Sequence, residues 1–212
     1  MCQVDGLGWS ARWMWHSWLM DLVEWIRADL NSIRSRFDHG IVAQIDPTLW
    51  KRRAGDDVHP AQSIAWLLLH VVYHQDLAVQ SAVQNRAPLM ANRRTLLGLG
   101  EVAAHGGLQE REDPAVTAVL DIGALQTYAT DVWDATDEWL DRVATMAFDT
   151  IPDASWRLEH LAGVTETAVP WLHSMWTAKT VGWFAQWEVV GHGYTHVGEM
   201  TAVRNQFGLS PF

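Results

Sequence analysis

Four histidines in two i, i+4 pairs hold most of the chemistry this chain can offer. His192 and His196 lie in E-V-V-G-H-G-Y-T-H-V-G-E-M-T-A-V-R-N-Q-F-G, which runs from Glu188 to Gly208. On a helix that spacing stacks both imidazoles on one face, with Cβ atoms about 5–6 Å apart, close enough to share one metal ion. Glu199 falls one turn further along that face. It is placed to orient a ligand histidine, to shuttle protons, or to pair with Arg204 or Arg27. Tyr194 either stabilises developing charge or points outward. His70 and His74 form the second pair, in S-I-A-W-L-L-L-H-V-V-Y-H-Q-D. Two such helices facing each other would bring up to four imidazoles together. Ten histidines in 212 residues give roughly half an i, i+4 pair by chance, so spacing alone leaves two readings open. One is a shared metal site; the other is a set of buried, hydrogen-bonding histidines.

The bulk of the chain sets limits on function. A length of 212 residues suits a single domain over 1–212, and 49% apolar residues suit a folded core. A formal charge of −10 argues against a nucleic-acid partner, and Arg52-Arg53 and Arg93-Arg94 are too short to change that. Cys2 is the sole cysteine, which excludes an internal disulfide and a cysteine-based zinc site. No basic region followed by an apolar run opens the chain, and no segment reaches about 18 uncharged apolar residues. The expectation is a soluble, cytoplasmic protein without a membrane span. Fourteen tryptophans imply a bulky core or an aromatic-lined cavity. The strong excess of arginine over lysine points to a GC-rich coding genome.

Helical periodicity supplies the elements that must position the histidines. From about Ser10, Leu19, Leu22, Val23, Ile26, Leu30, Ile33 and Phe37 recur at intervals of three and four, and Asp38-His39-Gly40 predicts a stop. Trp13, Trp15 and Trp18 read as core packing, His16 as a packing histidine, and tryptophans exposed on this helix would favour a homodimer. Pro60 fits the first position of a second helix running to about Ala82, with Ile64, Leu67, Leu68 and Val71 on its buried stripe. Asp76 reads as a solvated carboxylate or as an acceptor for an imidazole N–H. Residues 84–122, interrupted by glycines and prolines, predict a long crossover with one or two short helices. The third helix carries Leu125, Tyr128, Val132, Trp139, Leu140, Val143 and Met146. Its acids Asp131, Asp134, Asp137, Glu138 and Asp141 read as a solvated face. A link containing a helical turn near Trp156–Leu161 leads to an apolar stretch from Pro170. The last helix spans about Thr180 to Phe207, ended by Gly208, with Gly191, Gly193 and Gly198 allowing close approach. Alternating strand patterns are absent. Four long amphipathic helices with long second and third connections predict an all-α four-helix bundle, a class that builds metal sites between facing helices.

These stretches together resemble the DinB/YfiT-like superfamily of metalloenzymes. The second-helix stretch is similar to that family's S-I-G-W-x-L-x-H followed by an acidic pair, and W-K-R-R-A-G-D-D resembles its tryptophan-rich lead-in. H-G-Y-T-H-V-G-E-M-T-A-V-R-N-Q-F-G is similar to its H-x-x-x-H-x-G-[QE]-I-x-x-x-R-x-x-x-G. The resemblance covers most of the chain, with a longer middle crossover. It implies up-down-down-up topology and a metal held by His70, His192 and His196. His74 stands where the family more often has an acidic or variable residue, and Gln75 replaces the usual acid of the following pair. His74 is thus an extra ligand, a proton shuttle or neither.

Three neutral imidazoles on a divalent cation leave a position for water or substrate; zinc fits best, and nickel or iron(II) also accept imidazole. The resemblance implies activation of a low-molecular-weight thiol, since family members include thiol S-transferases and a mycothiol-dependent maleylpyruvate isomerase. A GC-rich genome favours mycothiol, and a metal-dependent hydrolase is the neighbouring reading. On either, His74, Glu199 and Tyr194 are the candidate catalytic groups and the partner is a small molecule. The contrasting expectation is a metal-stabilised helical module that binds a ligand without turnover. A di-iron carboxylate bundle is excluded, because no helix pair supplies Glu-x-x-His twice.

Overall fold

The structure is a computed structural model, and it describes residues 21–55, 61–100 and 105–210. His16, the early tryptophans and Pro60 lie outside the described residues. Within them every regular element is helical and no strand occurs. Buried residues from all the long helices form one contiguous hydrophobic cluster.

Helix α1 spans Leu22–Phe37 and is capped by the Asp21 carboxylate, which accepts from Val23 N at 3.4 Å. Its stripe of Val23, Ile26, Leu30, Ile33 and Phe37 is buried at helical spacing. The expected stop at Gly40 does not occur. The chain widens into a π turn over Asp38–Val42 that buries Ile41, and the Gly40 carbonyl accepts a hydrogen bond from Arg204 of the last helix.

Helix α2, Ile64–Asp76, begins at Ser63, whose Oγ accepts from Trp66 N at 3.1 Å while donating to Asp113 Oδ1 at 2.8 Å. Rather than one buried stripe, all its residues are buried, because α4, α5 and α9 pack around it. It continues as a π turn over Leu77–Val83, where Arg157 Nη1 donates to the carbonyls of Ala82 and Val83 at 2.6 and 3.2 Å. The crossover holds α3 (Met90–Arg93) and α4 (Asp113–Val119).

Asp76 is neither solvated nor bonded to a histidine. It is 0% exposed and accepts from Leu89 N (2.9 Å), Met90 N (2.9 Å) and the Tyr128 hydroxyl (2.7 Å), which fastens the crossover to α2.

Helix α5, Ile122–Leu140, carries its acids on a face that is largely open to water, with Asp134, Glu138 and Asp141 exposed. Arg34 bridges Asp134 and Asp137 at 2.8 and 3.0 Å, Arg27 reaches Asp141 at 2.7 Å, and Arg93 reaches Asp131 at 2.6 Å. The expected solvated face therefore holds at Asp134, Glu138 and Asp141, while Asp131 and Asp137 are half-buried, paired with Arg93 and with Arg27 and Arg34 of α1. Met146 is 87% exposed, because α5 ends at Leu140 and a 3-10 turn carries residues 145–149 away from the stripe.

Helices α6 (Ala154–Ala162) and α7 (Pro170–Trp176) lead to one continuous rod made of α8 (Val181–Phe184), a π turn (Ala185–Gly191) and α9 (His192–Gln206). Gly208, at φ +79°, ends it. Gly193 marks where α9 crosses α1, since a Cβ there would lie 2.8 Å from Ile33 Cδ1. Replacing Asp76 with alanine strands buried donors and should lower the unfolding free energy by about 3 kcal/mol. Arg27→Ala should cost less than about 1 kcal/mol, because its ion pairs are partly solvated. Urea unfolding midpoints of the two variants measure the contrast.

Candidate metal centre

Helices α2 and α9 pack together and bring both histidine pairs into one cluster. Ring centroids lie 4.5 Å apart for His70–His74, 5.1 Å for His70–His192, 4.9 Å for His70–His196 and 4.7 Å for His74–His192. The Nε2 atoms of His192 and His196 are 2.8 Å apart. Ligand atoms of His70, His192 and His196 fall within 4.8 Å of one another, and a second such group joins His74, Glu188 and His192.

The group facing the opposite ring nitrogen decides which lone pairs are free. His70 Nδ1 lies 2.5 Å from the Gly107 carbonyl oxygen, which can only accept, so Nδ1 donates and Nε2 keeps its lone pair. His196 Nδ1 lies 2.6 Å from Glu199 Oε2. His192 Nδ1 faces Glu188 Oε2 at 3.4 Å, off the line of a good hydrogen bond, and His74 Nδ1 faces the same oxygen at 3.3 Å. Each of the three grouped histidines thus faces an oxygen at Nδ1, in a hydrogen bond at His70 and His196 but not at His192. His74 Nε2 is buried with no hydrogen-bond partner.

Glu188, outside the expected ligand set, joins the histidine cluster. It is 0% exposed and sits in the π turn just before α9, four residues ahead of His192. The i→i+5 turn leaves it beneath His192 and against His74. Its other oxygen accepts the Trp176 indole N–H at 2.7 Å. Burial alone would raise its carboxyl, but the His192 and His74 imidazoles that face it outweigh that and bring it down to about 2. No lysine or arginine pairs with it among the described residues. Burial, with help from the neighbouring imidazoles, holds His70 well below the ordinary histidine range. Burial lowers His74 as well, against the pull of Glu188. The hydrogen bond from His196 lowers Glu199, and burial partly opposes it. Neutral imidazoles beside a buried anion are donors prepared for a cation.

Three indoles stack on three of these rings: Trp66 on His70 (4.6 Å, 18° between planes), Trp171 on His74 (5.6 Å, 21°) and Trp187 on His192 (6.0 Å, 20°). They fix the ring planes. A cleft of about 330 Å³ opens onto His70 and His196, with Trp66, Glu110, Glu199 and Gln206 in its walls. A second, of about 450 Å³, meets His70 from the side of Leu108, Arg111 and Trp171. Another cavity of about 330 Å³, between Tyr73 and Arg94, touches none of the histidines.

The structure therefore brings together His70, His192 and His196, with His74 and Glu199 adjoining. Of the partners open to Glu199, His196 takes it, because Arg27 is engaged by Asp137 and Asp141, and Arg204 by Gly40 and Asn205. Tyr194 lies elsewhere. Two residues beyond His192, it faces the other side of α9, where its hydroxyl donates to Asp29 at 2.9 Å. That placement corrects its expected role in stabilising charge at the cluster. Glu188 had a local signal in the E-x-x-x-H-x-x-x-H spacing. Gly107 had none, being 37 residues from His70.

No family model matches the chain, and no curated protein matches it. Among solved structures, one titled "Crystal structure of the conserved protein of locus from Enterococcus faecalis" is similar, with a TM-score of 0.60 and 17% identity. The match covers 89% of this chain and 98% of that one. At that identity the likeness is one of fold.

Glu188→Gln keeps the size of the side chain and removes its charge. It should weaken zinc binding by about 10- to 100-fold, read by competition with a chromophoric chelator. Glu199→Gln should weaken it less, since its half-exposed carboxylate is more readily replaced by water.

Proposed function

We propose that this protein is a DinB-like, divalent-metal-dependent enzyme whose cation is held by His70, His192 and His196. The observation that carries the reading is the convergence of ligand atoms of all three imidazoles within 4.8 Å, with Nδ1 of His70 and His196 taken by oxygen acceptors so that their Nε2 atoms are left for a cation. The donor set fits the metal. Three neutral nitrogens suit zinc, with nickel or iron(II) as alternatives, and the Glu188 carboxylate offsets part of a dication's charge. The DinB-like resemblance also gains support, because residues of its motifs have structural tasks here. Ser63 caps α2, Trp66 stacks on His70, and Arg204 ties α9 to the turn after α1. The rods α1, α2, α5 and α8–α9 are the four long helices of a four-helix bundle on this reading.

A bound divalent cation supplies Lewis acidity that lowers the pKa of a coordinated water or thiol toward neutrality. The chain supplies the rest. His74, its Nδ1 turned to Glu188, keeps a lone pair at Nε2 that can take a proton. Glu199 holds His196 in orientation. The stacked indoles keep water from the buried side, and the clefts beside His70 admit a small molecule. The reaction class is transfer or hydrolysis by an activated low-molecular-weight thiol or water, with mycothiol as the thiol the resemblance favours.

A second reading, a metal-stabilised module without turnover, draws on the tight burial of His74 and His192.

Metal content by plasma mass spectrometry should give about one zinc or nickel per chain, and His70→Ala and His192→Ala should each lose it. Changing His74 to glutamine should abolish turnover of a test thiol while metal stays bound. Metal loss that lowers only the melting temperature would favour the second reading. A protein that takes up no metal under reconstitution contradicts both.

A further inference from the structure

On the side of α9 where Tyr194 lies, a separate cleft of about 560 Å³ opens against the end of α1 and the π turn that follows it. It shares no residue with the cleft at His70 and His196. Its charge runs against that of the whole chain, whose formal net charge is −10. Arg36, His39 and Arg204 line it, and among the described residues no carboxylate does. Arg204 supplies an independent observation. It is 4% exposed, and its guanidinium cation is answered by neutral oxygens alone. Nη1 donates to the Gly40 carbonyl, while Nε and Nη2 donate to Asn205 Oδ1 at 3.1 and 2.7 Å. No aspartate or glutamate pairs with it among the described residues. Those bonds leave part of its five-donor fork unused, and Arg204 and Gly40 both belong to the cleft wall. A buried cation without a countercharge is unfavourable, and an anion in the cleft it lines would supply one. Arg36 comes from the side of α1. Its guanidinium lies over the Tyr194 ring, 5.7 Å from the centroid, and its Nε donates to Ser32 Oγ at 3.4 Å. It too has no acidic partner among the described residues, since the nearby Asp29 carboxylate takes the Tyr194 hydroxyl. Gly198 keeps the floor open, because a Cβ there would meet no neighbouring atom within 4 Å.

We propose that this cleft binds a small organic phosphate, with its oxygens between Arg36 and Arg204 and its body over Gly198 and the Tyr194 ring. Guanidinium groups meet phosphate as planar forks, through paired N–H···O bonds. A carboxylate of similar size carries less negative charge, and a neutral molecule carries none. The site stands apart from the metal reading, since none of its residues belongs to the histidine cluster.

Phenyl phosphate, benzoate and benzyl alcohol share one ring and carry decreasing charge, which makes them suitable probes. Their affinities are measured by calorimetry in phosphate-free buffer, on the protein as purified and again after chelation. Phenyl phosphate should bind tightest and benzyl alcohol weakest, the order should survive chelation, and the spread should shrink in high salt. Arg36→Gln should weaken phenyl phosphate about threefold, because Arg36 is exposed and its ion pair is partly screened. Gly198→Leu fills the floor and should abolish binding, while the melting temperature and metal content of the protein stay as they were. Phenyl phosphate should raise the melting temperature of the native protein and leave that of Gly198→Leu unmoved. Absence of binding to the native protein, a preference for benzoate, or an affinity untouched by both variants overturns the proposal. Binding lost on chelation also overturns it, because the phosphate then sits on a cation at the histidines.

Discussion

A carboxylate with no exposed surface sits at the base of the histidine cluster, and much of the local structure serves to keep it ionised. Glu188 receives the Trp176 indole N–H on one oxygen and faces His74 and His192 with the other. Water would serve that charge better, so these contacts must stay in place for the core to tolerate it. They come from three elements, α2, α7 and α9. Moving any one of them leaves a buried anion with one contact fewer. The requirement fixes the register of α9 against α2, and with it the positions of both α9 imidazoles relative to His70.

The wide turns belong to the same design. All three long rods that carry or flank the cluster contain a π segment: Asp38–Val42 after α1, Leu77–Val83 after α2 and Ala185–Gly191 before α9. A π turn re-aims the next stretch of backbone and frees carbonyls from regular pairing. Arg157 takes up carbonyls of the second and Arg204 that of Gly40 in the first. The third places Glu188 under His192. Gly193 then lets α9 approach α1, while Gly107, at φ +97° and with no room for a Cβ beside Leu69, brings a carbonyl to His70. Tryptophan abundance has a local outlet here, in the indoles stacked on His70, His74 and His192.

The features legible in the chain are those local in sequence. The histidine pairs and Glu199 share helix faces because i, i+3 and i, i+4 neighbours must, and the end at Gly208 obeys the same short-range rules, whereas α2 starts at Ile64 after a Ser63 cap rather than at Pro60. Tyr194 misleads because a residue two positions from a histidine lies on the far side of a helix, however close it stands in the sequence. The acids of α5 look solvated by periodicity. Asp134, Glu138 and Asp141 are, whereas Asp137 is drawn into ion pairs by Arg27 and Arg34, about a hundred residues away. Asp76 is buried because the crossover folds back to give it two backbone N–H groups, and no pattern within α2 announces that. The stop expected at Gly40 fails for a similar reason, since Arg204 arrives from the other end of the chain to hold its carbonyl. Glu188 is the instructive case: its spacing was visible, but its burial depends on a π turn that propensity does not signal.

The central claim is that one cation lies among the Nε2 atoms of His70, His192 and His196. Crystals of metal-loaded protein, measured at the absorption edge of the bound metal, test it most directly through an anomalous difference map. A single peak bounded by those three nitrogens is the predicted result. A peak among His74, Glu188 and His192, or one bounded by no histidine, would contradict it.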